Sequence, residues 1–181
     1  MFETERLEII LAQEKDCQAM VAVGRSWDNQ QLLTGEEPAN IDYFIQGLKA
    51  GHLPPNGRKE NYYLLSIRRK HDDKIIGILD IYQGYPDEKT LWLGQLVIDK
   101  KLRNQSFGHE VIDELKSWSI SKGFEKIQIG VYLKNWLALK FWIANGFDKI
   151  NRISADKEYS DNNFAVIALE WNSHYITNKK R

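Results

Sequence analysis

The residues that decide the fold are Leu91-Trp92-Leu93-Gly94-Gln95-Leu96-Val97-Ile98, an apolar run typical of a buried strand. A polar turn follows over residues 99–106, and residues 107–122 then carry apolar side chains at helical spacing. The first turn of a helix has backbone N–H groups without helical partners, and the helix dipole is positive there. We therefore expect an anion to bind at this strand-to-helix junction.

The same arrangement recurs further along the chain. Residues 127–132 predict a second buried strand, Asn135 is placed to cap a helix over residues 136–145, and Gly146 is a typical helix stop. The sequence thus predicts two strand-to-helix junctions that are rich in backbone N–H donors.

Length and charge limit the protein classes that fit. The chain has 181 residues, and its 25 Lys and Arg balance its 25 Asp and Glu. That length predicts one domain over residues 1–181. A chain without net charge has no overall field to attract nucleic acid or anionic lipid, and no apolar run approaches the roughly 20 residues of a membrane span. We expect neither nucleic acid nor a membrane as a partner.

The single cysteine, Cys17, points to a reducing compartment, because one cysteine can form neither an internal disulfide nor a cysteine-based metal cage. The first residues are acidic and lack the basic start and apolar centre of a signal peptide. We therefore expect a cytoplasmic protein in which Cys17 is a small buried side chain.

Periodic patterns along the chain predict a mixed protein. The predicted strands are residues 6–11, 62–67, 74–82, 91–98, 127–132, 148–154 and 164–171. Helices are predicted over 13–23, from Pro38 or Asn40 to Gly51, over 107–122 and over 136–145, with connections at 27–37 and 155–163. Short turns between consecutive strands force antiparallel pairing. The predicted class is α/β (α+β), with a single mixed, mainly antiparallel central sheet of about seven strands flanked by helices.

Several common catalytic motifs are absent. The sequence has no Gly-x-x-x-x-Gly-Lys-Ser/Thr phosphate loop, no dinucleotide glycine fingerprint and no Gly-x-Ser-x-Gly elbow. Its four histidines do not stand at metal-binding spacing. Nucleotide hydrolases, serine hydrolases and metalloenzymes therefore lack their required parts, and no metal site is expected.

Arg103-x-x-Ser106-x-Gly108 lies directly between the apolar strand and its helix. It resembles motif A, Arg/Gln-x-x-Gly-x-Gly/Ala, of the GNAT superfamily of acetyl-CoA-dependent N-acetyltransferases. Asn135-x-x-Ala138-x-x-Phe141-Trp142-x-x-x-Gly146-Phe147 resembles motif B of the same superfamily, Asn-x-x-Ala-x-x-Phe-Tyr-x-x-x-Gly-Phe. The two motifs stand at the family's separation, so together they are far more specific than either alone.

The resemblance implies that acetyl-CoA is the acyl donor. In the family the strand before motif A pairs with the pantetheine arm, the motif A turn holds the pyrophosphate, and the motif B helix lines the thiol end. The residues so implied are Leu96, Val97, Ile98, Arg103, Asn104, Gln105, Ser106, Phe107, Gly108, His109, Asn135, Ala138, Phe141 and Trp142. Pairing with the arm requires a splay between the strands at 91–98 and 127–132.

Two residues depart from the family pattern. Ser106 occupies the place of the first glycine, so its turn either avoids positive φ or is slightly strained. Trp142 replaces the tyrosine that often protonates the departing thiolate, and an indole N–H is not a usable acid near neutral pH. The proton must then come from another tyrosine, Tyr82 or Tyr132, or from water, unless the thiolate leaves without it.

Asp80 is the candidate base or amine anchor, with Tyr132 as the candidate acid. Asp80 interrupts an apolar strand, where an unpartnered carboxylate is costly. A surface-facing aspartate on an alternating strand is an equal alternative, and Gln95 is a similar polar interruption.

Trp27, Asp28, Glu36 and Glu37 lie in the region where the family usually shapes its acceptor site, although solvated loop charges are the preferred interpretation of this segment. On the motif B helix, Leu137, Leu139 and Ile143 are predicted core residues.

The predicted activity is transfer of acetyl from acetyl-CoA to a primary amine of a small molecule by direct attack in a ternary complex. Thr4-Glu5-Arg6-Leu7 is also reminiscent of the ribosomal-protein alanine N-acetyltransferase branch, so a protein N-terminus is the alternative acceptor. Trp142 supports a third alternative, a non-catalytic sensor of acyl-CoA. A homodimer across an exposed edge at residues 164–171 is one arrangement open to the chain.

Overall fold

The computed structural model describes residues 1–154 and 164–174. Within them, eight strands form one sheet in the order β1-β2-β3-β4-β5-β6-β8-β7. The strands are β1 (Phe2–Glu3), β2 (Leu7–Leu11), β3 (Tyr62–Arg69), β4 (Lys74–Gln83), β5 (Thr90–Ile98), β6 (Lys126–Tyr132), β7 (Lys149–Ser154) and β8 (Val166–Asn172). The helices are α1 (Cys17–Arg25), α2 (Gln30–Thr34), α3 (Ile41–Lys49), α4 (Phe107–Ser121) and α5 (Trp136–Ala144).

The predicted fold class is confirmed. Of the strand pairs in the described chain, β5 with β6 is parallel and the rest are antiparallel. The strand beyond the predicted seven is β1, whose two residues are too few for a periodic pattern. The predicted connection at 27–37 contains the short helix α2, which lies between left-handed Asn29 and Gly35. The predicted loop at 155–163 lies outside the described residues.

Two apolar layers cover the two faces of the sheet. One layer joins the sheet to α4 and α5, and the other joins it to α1 and α3. Because side chains alternate along a strand, Leu79 and Ile81 of β4 enter the first layer while Ile78 and Tyr82 enter the second. Asp80 lies between Ile78 and Tyr82 in that alternation, so it faces the α1 and α3 side.

The sheet opens between β5 and β6. Their parallel pairing ends at Leu93 with Ile129, whereas β6 stays paired with β8 as far as Tyr132. On the other side of β5, Asp80 pairs with Gln95 and Ile81 pairs with Leu93, which leaves Gly94 as a bulged residue. The splay that the pantetheine arm requires is therefore present, and it begins at this bulge.

The prediction that Leu137 and Ile143 are core residues is wrong. Their exposed fractions are 63% and 54%, while Leu139 packs against the core as predicted. Helix α5 is apolar on all sides, so its sequence does not show which side faces the sheet.

The predicted exposed edge at residues 164–171 is also wrong. Strand β8 lies between β6 and β7, and most of its side chains are buried, so β7 forms this edge of the sheet. In the described part of the chain, no helix is long and apolar enough to cross a bilayer.

Candidate active site

A cleft of about 790 Å³ opens where β5 and β6 separate. We call it the splay cleft. The residues that line it are Trp27, Asp28, Asn29, Leu33, Leu96, Val97, Ile98, Leu102, Arg103, Asn104, Ser106, Phe107, Gly108, His109, Asn135, Leu137, Ala138, Phe141 and Trp142. The fold thus brings together every residue that the resemblance implies for acetyl-CoA, except Gln105.

The turn that enters α4 supplies unpaired donors to this cleft. The backbone N–H groups from Asn104 to His109 donate to no acceptor in the described chain. Asn104 and Ser106 have φ values of 61° and 65°, so the second of the two expectations for Ser106, a strained turn, is the observed one. Consecutive amides at a helix N-terminus suit a phosphate group, which accepts several hydrogen bonds at once.

Helix α5 forms the opposite wall of the cleft. Asn135 caps it as predicted, with its Oδ1 accepting the Ala138 N–H at 3.2 Å. Phe141 lies over Gly108, where an added Cβ would come within 3.2 Å of the ring, so the glycine permits this close approach of α4 and α5. Trp142 is 4% exposed and packs edge-to-face on Phe147, as a core side chain does.

The N-terminal segment stabilises the turn that enters α4 through hydrogen bonds to Glu110 and Gln105. Glu110, in the first turn of α4, accepts hydrogen bonds from the Thr4 hydroxyl, from the Arg6 backbone N–H at 3.1 Å and from Arg6 Nε at 2.7 Å. Arg6 also donates to the Gln105 carbonyl at 3.1 Å and lies over the Phe107 ring. Gln105 therefore stands outside the cleft but takes part in holding its turn.

A second cavity, of about 580 Å³, lies on the α1 and α3 side of the sheet. We call it the Asp80 cavity. Its walls are mainly aromatic, from Tyr43, His52, Tyr62, Tyr82, Tyr85 and Trp92, and its polar lining includes Asp80 and Arg152. Gly94 lines this cavity while Leu96 lines the splay cleft, and two residues of strand span about 7 Å. The linings of the two cavities therefore come within about 7 Å of each other along β5, beside the bulge.

Asp80 is 5% exposed, and no cation or hydrogen-bond donor of the described chain contacts its carboxylate. Burial raises its pKa to about 7, because the charged form loses its hydration. The alternative of a surface-facing aspartate is wrong. A carboxyl group with a pKa near neutral exists in both protonation states at pH 7, as a general base requires.

The candidate acids are placed differently. The Tyr132 hydroxyl donates a hydrogen bond to Glu36 at 2.7 Å. The pKa of Tyr132 is raised to about 12, mainly by burial and to a lesser extent by the Glu36 carboxylate. Tyr132 is not among the residues that line either cavity, so its role as an acid stays a prediction that this geometry does not favour. Tyr82 lines the Asp80 cavity, where its oxygen accepts the Arg58 N–H at 2.8 Å and its own proton is donated to no acceptor of the described chain.

Comparison with known proteins identifies the same family that the two sequence motifs resemble. The sequence model described as the acetyltransferase (GNAT) family matches residues 19–147, a span that holds the lining of the splay cleft and, except for Arg152, that of the Asp80 cavity. The chain belongs to the GNAT acetyltransferase family. A search of the curated proteins finds no match.

Solved structures of GNAT enzymes share the fold at low identity. An acetyltransferase from Thermus thermophilus is 16% identical with a TM-score of 0.70, over 94% of this chain and 99% of that one. A spermidine N-acetyltransferase chimera from Vibrio cholerae is 11% identical with a TM-score of 0.73, over 96% and 99%. The ribosomal-protein-S18-alanine N-acetyltransferase from Escherichia coli is 12% identical with a TM-score of 0.66, over 92% and 93%.

GNAT membership makes the chain an acetyl-CoA-dependent N-acetyltransferase by family. Of the residues predicted to shape the acceptor site, Trp27 and Asp28 line the splay cleft instead. Glu36 binds Tyr132, and Glu37 accepts a hydrogen bond from Gln31. The aromatic walls of the Asp80 cavity were missed, since they come from α3, β3, β4, β5 and the loops after α3 and β4, and no local pattern connects these segments.

Proposed function

We propose that the protein transfers acetyl from acetyl-CoA to a primary amine of a small molecule, with the donor in the splay cleft and the acceptor in the Asp80 cavity. The observation that carries this proposal is that the linings of the two cavities come close together on β5 beside Gly94, next to a buried carboxylate that has no partner in the described chain. Each cavity has the size of a small-molecule site.

The residues of the splay cleft fit the donor. Because the edge of β5 beyond Leu93 is unpaired on its β6 side, its backbone can pair with the amide-rich pantetheine arm. The amides of residues 104–109 can donate to the pyrophosphate. Acetyl-CoA would supply the thioester that the amine attacks.

Asp80 prepares the acceptor. An ammonium cannot attack, so Asp80 takes one proton and leaves the nitrogen with a lone pair. The nitrogen then bonds to the thioester carbonyl carbon as the carbon–sulfur bond breaks. The second nitrogen proton goes to the departing sulfur, either directly or through water, which removes the need for an acid at Trp142. Holding both reactants at the bulge supplies much of the acceleration.

Release of CoA thiol, measured with acetyl-CoA and a panel of small amines, tests the proposal. We expect turnover that increases as pH rises through about 7, when the Asp80 carboxylate ionises, and we expect Asp80→Asn to reduce kcat at least tenfold while heat stabilisation by CoA persists. CoA binding without turnover on any amine would instead identify a sensor.

A peptide with a free N-terminal alanine belongs in the same panel as the alternative acceptor. The resemblance that suggested it includes Thr4 and Arg6, which in this structure hold the first turn of α4. A cytoplasmic location is part of the proposal, and the single buried thiol of Cys17 supports it.

A further inference from the structure

The residues that line the Asp80 cavity indicate which class of amine it would accept. We propose that the acceptor is a primary amine with one positive charge and an apolar, arylalkyl-sized body, and that polyamines are disfavoured. This inference rests on the proposed function, because it names the substrate class for the same cavity.

Buried oxygen atoms in the Asp80 cavity are available to an ammonium group. Asp80 is buried without a cation, and the Tyr62 hydroxyl is buried without a hydrogen-bond partner in the described chain. Tyr62 itself is 4% exposed. A buried polar group left unsatisfied costs free energy, and an ammonium with three N–H donors would satisfy both oxygens together.

The phenol groups of Tyr43 and Tyr62 lie close enough to Asp80 to interact electrostatically with its carboxylate. The pKa values of Tyr43 and Tyr62 are both raised, first by burial and then by the Asp80 carboxylate. Both rings therefore stay neutral near pH 7, and their oxygens act as acceptors or neutral donors. Burial likewise lowers the pKa of His52, which favours a neutral imidazole in the same wall.

The aromatic rings that line the Asp80 cavity pack against one another in two groups. Tyr85 stands edge-to-face to both Tyr82 and Trp92, with ring centroids 6.5 and 5.5 Å apart. Across the cavity lining, His52 stacks on Tyr43 at 3.9 Å. Aromatic faces attract a cation electrostatically and offer apolar area to the carbon chain that carries it. A wall of this composition suits an amine on an alkyl or arylalkyl body.

The charged residues of the Asp80 cavity favour an acceptor with a single positive charge. Among the described lining residues, Asp80 is the one carboxylate and Arg152 is the one arginine or lysine. Lys59 adds a further positive charge behind Tyr62, with its Nζ 4.9 Å from the ring centroid. A second ammonium on the acceptor would have no carboxylate in this lining and would meet Arg152, so repulsion opposes it.

Initial rates of acetyl transfer to 2-phenylethylamine and to spermidine, at one acetyl-CoA concentration, test this inference. We expect kcat/KM for 2-phenylethylamine to exceed that for spermidine at least tenfold. Arg152→Gln should shift this ratio several-fold toward spermidine, since the repelling charge is gone. Arg25→Gln, an exposed arginine on α1 outside both cavities, is the matched control and should leave the ratio unchanged.

Tyr62→Phe probes the ammonium contact directly. Its hydroxyl has no partner in the described chain, so the variant should fold, and we expect KM for 2-phenylethylamine to rise several-fold with a smaller change in kcat. Spermidine used as well as 2-phenylethylamine, or a ratio that Arg152→Gln does not move, would overturn the inference and leave the proposed acetyltransfer standing. The absence of thiol release with every amine, whether or not CoA stabilises the protein against heat, would overturn the proposed acetyltransfer as well.

Discussion

The carboxylate of Asp80 lies against the α-carbon of Gly94 on the neighbouring strand. Gly94 is the bulged residue of β5, and a Cβ added there would overlap Asp80 Oδ1. The bulge, the glycine and the carboxylate therefore form one unit, which lines the Asp80 cavity and lies two residues along β5 from the lining of the splay cleft.

Gly94→Ala should displace the Asp80 carboxylate without changing any residue that lines the splay cleft. We expect kcat to fall at least tenfold while heat stabilisation by CoA is retained. Gly24→Ala is the matched control, because a Cβ there meets no atom within 4 Å and alanine favours the helix α1. Wild-type kcat in Gly94→Ala would show that the carboxylate is not held by this contact.

Asp80→Asn should stabilise the protein at alkaline pH. Burial raises the folded pKa to about 7, so the native state keeps a proton that the unfolded chain loses above about pH 4. Stability is then lost as pH rises between these values, by about 1.4 kcal/mol per pH unit. Asparagine carries no charge at any pH and avoids this loss.

Thermal unfolding at pH 5 and pH 8 measures the effect. The gain in Tm for Asp80→Asn should be several degrees at pH 8 and markedly smaller at pH 5. Asp148→Asn, at an exposed position, removes a carboxylate of the same size and should show no such difference. Equal gains at both pH values would contradict a raised pKa for Asp80.

Ser106→Gly should stabilise the turn that enters α4. Serine at a φ of 65° is strained by roughly 1 kcal/mol, and glycine relieves that strain. We expect the free energy of unfolding to rise by up to about 1 kcal/mol, measured by urea denaturation, with CoA binding retained. Asn104→Gly should gain less, since asparagine tolerates the left-handed conformation at its φ of 61°.

Glu110→Gln should weaken CoA binding several-fold by loosening the turn. Burial opposes ionisation of Glu110, yet the hydrogen bonds from Thr4 and Arg6 and the Arg6 charge lower its pKa overall. Electrostatics alone predicts the opposite result, because removing a negative charge near a phosphate site would tighten binding. Calorimetric titration with CoA distinguishes the two, and Glu114→Gln, one turn further along α4, serves as control.

Much of the splay cleft could be predicted from the sequence. Arg103 to His109 and Asn135 to Trp142 are short segments whose strand-to-helix geometry follows from local turn and capping preferences. The exposed side of α5 could not be predicted in the same way, because Leu137 and Ile143 are as apolar as their buried neighbours. The hydrogen bond of Tyr132 to Glu36 joins residues 96 positions apart, and no local rule anticipates it.

Apart from β1 and α2, the sequence by itself determined the order of strands and helices, together with the two junctions that line the splay cleft, since periodicity, caps and turns are properties of consecutive residues. Only the tertiary structure decided the lining of the Asp80 cavity. Tyr62, Asp80, Gly94 and Arg152 come from four different strands, and inter-strand register decides which of their side chains share a face. That register, together with the bulge at Gly94, placed an unpaired carboxylate beside the opening of the sheet.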